Sequence, residues 1–148
     1  MEGGQMQLTT MTQSSLSLES ADAIARAATE YAASVDKRMV VAIVDRAGEL
    51  QVFRRMDGAP LLSVEIARNK AYTAAAFGIS TDQWYDFIAE DPPLRVGIVH
   101  TPRLIVFGGG FPIQVDGELV GGIGVSGGHY SEDMEVAQAG LRAVGLAD

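Results

Sequence analysis

Apolar residues at Ala21, Ile24, Ala28, Tyr31 and Val35 keep the spacing of one helical face, and Ser17 stands where a capping hydroxyl belongs. Residues 18–35 are therefore predicted as an amphipathic helix. The period then changes. Met39 to Val44 is an unbroken apolar run rich in β-branched residues, the pattern of a strand buried on both faces. A turn at 45–49 leads into a returning strand from Leu50 to Met56, with Leu50, Val52, Arg54 and Met56 on one face. Asp57-Gly-Ala-Pro60 ends that strand and opens a second helix, with Pro60 in its first turn and Gly78 at its end. This helix carries a large apolar stripe (Leu62, Ile66, Thr73, Phe77) and a small-residue stripe (Val64, Ala67, Ala71, Ala75). A helix apolar on two sides is predicted to lie between the sheet and either another helix or another subunit.

Ser80-Thr-Asp-Gln83 has capping-box form and predicts a short third helix to Ala89, stopped by Asp91-Pro-Pro93. Residues 94–103 read as loop and Leu104 to Phe107 as a short strand. Phe111 to Val115 and Glu118 to Val125 flank Asp116-Gly117, the strongest hairpin signal in the chain. Met134, Ala137, Leu141 and Val144 give the apolar face of a last helix from about Ser131, ended by Gly145. The predicted order is α-β-β-α-α-β-β-β-α. Hairpin connections dominate, so the class is α+β with a mainly antiparallel sheet and helices packed on it. Residues 1–16 read as a flexible leader and residues 17–148 as a single domain.

Composition narrows the function classes. The net charge of −8 argues against nucleic acid and anionic membrane surfaces as partners. With no cysteine, disulfides, thiolate catalysis and cysteine-bound metals are excluded, and a reducing, cytoplasmic setting fits. Two histidines, His100 and His129, are too few for a multi-histidine cage, so no metal site is expected within one chain. No apolar run reaches the roughly 18–20 residues of a membrane span.

Gly122-Ile-Gly-Val-Ser-Gly127 matches G-x-G-x-x-G but has no following strand to complete a dinucleotide fold, so a Rossmann site is rejected. The glycines serve either close packing or an anion pocket. In the second case the backbone N–H groups of Ser126, Gly127 and Gly128 face a ligand at the positive end of the last helix, in competition with Glu132 and Asp133. His129, at the mouth of this turn, is either an exposed loop histidine or an acid/base or axial ligand. Lys70 falls between the two stripes of the second helix, so its stem should be covered. Its ammonium then needs an anion, either a nearby Asp or Glu or a ligand. Arg55 is a candidate for a ligand carboxylate, and Asp57 is either a helix cap or a pocket residue. Trp84, Tyr85 and Phe87 are read as core or subunit contact.

Several ordered motifs then converge. Val44-Asp-Arg-Ala-Gly48, Arg55-Met-Asp-Gly58, Ile66-Ala-Arg-Asn-Lys-Ala71, Gly108-Gly-Gly-Phe-Pro-Ile113, Asp116-Gly117 and Gly122-Ile-Gly-Val-Ser-Gly-Gly128, followed by Asp133 and Val136-Ala137, resemble the GlcG/HbpS-like haem-binding family. They also resemble the C-terminal domain of PduO-type cobalamin adenosyltransferases. The resemblance spans about residues 17–145. It implies a profilin-like fold with a five-stranded, mainly antiparallel sheet and homo-oligomeric assembly. Some members bind haem, and others accompany the breakdown of small organic acids. The PduO-type branch binds haem through a histidine on its first helix, whereas residues 18–35 here contain none and offer only Tyr31. His129, Met56 or a neighbouring subunit would have to serve instead.

Three functions remain open on this footing. One is a homo-oligomeric protein binding haem or a small carboxylated metabolite, with Lys70, Ser126, Gly127, Gly128, His129, Arg55 and Asp57 as site residues. Another is an isomerase, lyase or hydratase acting on a small acid, with His129 and Lys70 catalytic. The third is a scaffold or sensor accessory without chemistry.

Overall fold

The computed structural model describes residues 3–146. Residues 3–17 form no helix or strand, but Leu16 is buried and tied down: its N–H donates to Val120 O (3.0 Å) and its carbonyl accepts from Gln51 Nε2 (2.7 Å). Helix α1 (Leu18–Ser34) follows, with Ser17 accepting the Ser20 N–H as the expected N-cap. Strands β1 (Val40–Asp45) and β2 (Leu50–Arg55) form the first hairpin. Helices α2 (Leu62–Phe77) and α3 (Thr81–Ala89) come next, then α4 (Pro92–Gly97) and a single 3-10 turn at Ile98–His100. Strands β3 (Gly110–Val115) and β4 (Glu118–Ser126) make the second hairpin, and α5 (Tyr130–Ala143) closes the chain's regular structure. Asp116 and Gly117 both take positive φ (52° and 80°), the turn that Asp-Gly predicts.

The fold is α+β. Its sheet is antiparallel with strand order β2-β1-β4-β3, so the two hairpins meet along β1 and β4, and β2 and β3 lie at the edges. Helices α1 and α5 cover one face and α2 the other. No helix among the described residues is long and apolar enough to cross a membrane.

The sheet has four strands, which corrects the expected five. Leu104–Phe107 does not pair with the sheet. Its start is held by a helix side chain instead: Thr73 Oγ1 donates to Arg103 O (2.9 Å) and accepts the Ile105 N–H (3.1 Å). The expected loop at 94–103 is corrected in its first part, where residues 94–97 belong to helix α4. Asp91 accepts the Leu94 N–H and caps that helix, with proline at its first positions. The Ser80 capping box also fails to form; Ser80 is the N-cap of α3 without a side-chain cap bond. Asp57 does not cap α2, whose N-cap position is Leu61.

Close approach of α2 to the sheet is what sets the site's geometry. The small-residue stripe is the buried one, with Ala67, Ala71 and Ala75 on the sheet. A Cβ at Gly124 of β4 would strike the Ala67 carbonyl and lie 2.5 Å from the Ala71 nitrogen. Glycine is therefore required there on packing grounds alone. The large stripe is split: Leu62 and Phe77 at its ends are 75% and 55% exposed, Ile66 is half-buried, and Thr73 is buried against the 103–105 segment.

Candidate functional site

Two places collect the candidate side chains, and they differ in kind. The first is the turn from β4 into α5. Lys70 is fully buried, as its position between the stripes predicts. Its Nζ donates to Asp133 Oδ2 (2.8 Å) and to Val125 O (2.9 Å), and it lies 5.1 Å from the centroid of the Phe107 ring. The other carboxylate oxygen, Asp133 Oδ1, accepts the Gly128 N–H (3.0 Å). A Cβ at Gly109 would sit 2.6 Å from Nζ, so the glycine strap before β3 presses directly on the ammonium. Burial pushes the Lys70 amine down and the Asp133 carboxyl up, while their mutual attraction and hydrogen bond oppose both shifts.

The anion gathered by Lys70 and the Gly128 amide is the chain's own Asp133, one of the two outcomes left open by the sequence. Ser126 is buried at the end of β4, paired with Val40 of β1. Gly127 turns the chain at φ 152°, packed against Arg38 O and Met39. His129 is exposed and is the N-cap of α5: its Nδ1 accepts the Ser131 N–H (3.2 Å) and meets Ser131 Oγ at 2.8 Å. Glu132 accepts the His129 N–H (3.0 Å) and pairs with Lys37. The Lys37 hydrogen bond, with the His129 N–H behind it, holds the Glu132 carboxyl below the usual glutamate range. His100 ends the 3-10 turn after α4.

The second place is an open cleft of about 640 Å³ beside edge strand β2, lined by Thr29, Arg38, Phe53, Arg54, Arg55, Met56 and Asp57. Here Arg55 and Asp57 come together, apart from Lys70 and His129. The register of the first hairpin explains the cluster. Val40 faces Arg55, and beyond that pair Met56 N–H donates to Met39 O (3.0 Å), so the chain around Arg38 runs beside Asp57. Thr29 of α1 holds one arginine: its hydroxyl donates to Ala25 O (2.7 Å) and accepts from Arg54 Nε (3.1 Å). Arg38 meets Asp36 only at 3.6 Å. The side chains of Arg55 and Asp57 have no hydrogen-bond or ion-pair partner among the described residues. Met56 Sδ accepts the Met39 N–H at 3.4 Å.

Three arginines and one aspartate line this cleft in a chain of net charge −8, a lining whose chemistry suits a carboxylate. The sequence reading named Arg55, Asp57 and Met56 but missed Arg38, Arg54 and Thr29. The available signal was the hairpin itself, since two basic pairs, Lys37-Arg38 and Arg54-Arg55, sit at its open end.

A family profile described as "Haem degrading protein HbpS-like" matches residues 16–142. The corrinoid adenosyltransferase PduO of Salmonella typhimurium is 36% identical over 132 residues, covering 88% of this chain but only 39% of that protein. Protein GlcG of Escherichia coli K12 is 33% identical over 111 residues, 75% of this chain and 81% of GlcG. Among solved structures, that of a PduOC:haem complex superposes with a TM-score of 0.79 at 33% identity, covering 90% of this chain and 97% of that one. The chain thus belongs to the GlcG/HbpS-like family.

Proposed function

We propose that this protein is a homo-oligomeric small-ligand-binding protein whose ligand is haem or a small carboxylated metabolite, and that the arginine cleft receives the ligand's carboxylates. The observation that carries this is the placing of Arg38, Arg54 and Arg55 on one cleft of about 640 Å³ while the chain as a whole is acidic. That volume lies within the roughly 300–1,000 Å³ of small-molecule sites. Membership of the family supports it, as does the likeness to a structure described as a haem complex. Assembly is supported by apolar side chains left uncovered on and around α2, α3 and α4, where Leu61, Leu62, Phe77, Tyr85, Phe87 and Val96 are all more than half exposed.

Haem tests the cleft's fit in two parts. Its propionates suit the three guanidinium groups, and its flat macrocycle suits Phe53, whose ring is partly exposed beside them. Its iron is not suited, because the lining supplies neither imidazole nor thiolate.

The test is titration of the full chain with haemin and with a panel of small organic acids at two salt concentrations. Saturable binding of at least one carboxylate is expected, weakened by salt and by about tenfold in Arg55→Ala. Binding that ignores both salt and Arg55 puts the ligand elsewhere. Failure of every carboxylate to bind leaves the scaffold function standing.

A further inference from the structure

Resting on that reading, we propose that the cleft recognises a tetrapyrrole by its carboxylates and gives a central iron no donor from its own chain, so that metal-free porphyrin binds as well as haem. The donor inventory of the cleft leads there. Protein groups that hold haem iron are imidazole, thiolate, thioether and phenolate. The chain has no cysteine. Its two histidines stand at the end of a 3-10 turn and at the cap of α5, and neither lines the cleft. The single sulfur present, Met56 Sδ, already accepts the Met39 N–H. The Thr29 hydroxyl is spent between Ala25 O and Arg54 Nε. Asp57 is a hard carboxylate that shares the lining with three arginines, and no tyrosine lines the cleft.

The carboxylate end is the better prepared one. Arg54 is aimed by Thr29 before any ligand arrives, and Arg55 has no competing partner among the described residues. A guanidinium binds a carboxylate through two parallel N–H bonds, so two arginines can take two propionates. Charge points the same way. An iron(III) centre adds one positive charge to the macrocycle, and a cleft of three arginines has no reason to prefer the less anionic ligand.

Metal-free protoporphyrin IX, haemin and succinate are titrated separately into the full chain. Protoporphyrin and haemin are expected to bind with dissociation constants within about threefold of each other, and the double variant Arg54→Ala/Arg55→Ala to weaken both by about 10- to 100-fold. Arg55→Ala alone, the loss of an exposed side chain, repeats the test should the double variant fold poorly. Haemin binding at least about tenfold tighter than protoporphyrin, with a Soret shift to a nitrogen- or sulfur-bound form, overturns the proposal. Succinate binding without either porphyrin overturns it too, while the carboxylate function of the cleft survives. If none of the three binds, this proposal falls, and the wider panel of organic acids decides the carboxylate function of the cleft.

Discussion

Lys70 shows how far one residue can be read and where the reading stops. Its position on the helical wheel predicts a covered stem, and a covered ammonium must have an anion. Which anion depends on Asp133, 63 positions along the chain and brought near only by the β4–α5 turn. Once paired, each group is costly to leave alone. Removing one partner of a buried ion pair typically costs about 3–5 kcal/mol, because the survivor stays buried and charged. Lys70→Met and Asp133→Asn should each lower unfolding stability on that scale in denaturant melts. The double change Lys70→Met/Asp133→Asn should recover much of the loss, since neither charge is then stranded. Additive losses in the double variant would show that packing of the lysine stem, not the charge pair, is what the protein loses.

Between elements, glycine does two separate jobs, and they can be told apart by substitution. At Gly117 the hairpin needs only a positive φ (80°), and a Cβ would meet nothing within 4 Å. At Gly109 the φ is 124° and a Cβ would also lie 2.6 Å from Lys70 Nζ and 2.7 Å from Val125 O. Gly117→Ala should therefore cost about 1 kcal/mol, the backbone penalty alone. Gly109→Ala should cost about 1–3 kcal/mol beyond that, from overpacking against a backbone carbonyl that cannot move aside. Equal losses in thermal melts would mean that the strap yields and does not press on the ammonium. The sequence announced the Asp116-Gly117 turn because a two-residue hairpin is a local matter. Helices α1, α2 and α5 and strands β1 to β4 were legible for the same reason, as periodicity and caps. Leu104–Phe107 was not, since its fate turns on Thr73, a residue of another element. The short helix α4 was hidden because Asp91-Pro-Pro93 stops one helix and starts the next with the same residues.

Across the whole molecule, the arrangement of faces decides what the fold can offer. One face of the sheet is sealed by α1 and α5, and the other is covered by α2 through a stripe of alanines. That close fit leaves Leu62 and Phe77, the two ends of the bulky stripe of α2, outside and 75% and 55% exposed. The sequence foresaw a two-sided helix but could not say which stripe meets the sheet; the glycines of β4 decide it, because only small side chains match them. The cleft was half legible for a related reason. Arg55 and Asp57 are neighbours in sequence, whereas Arg38 and Thr29 reach them through hairpin register and helix packing. Assembly through the outer stripe makes a definite prediction. Leu62→Glu removes an exposed side chain from the core's standpoint, so unfolding stability measured on the dilute chain should change by no more than about 0.5 kcal/mol. If this face joins subunits, the added carboxylate is buried unpaired in every contact and the assembly is lost. Light scattering should then report a smaller particle for the variant, while Arg55→Ala, at the far edge of the sheet, keeps the wild-type mass. A variant of unchanged mass would remove this face from the interface.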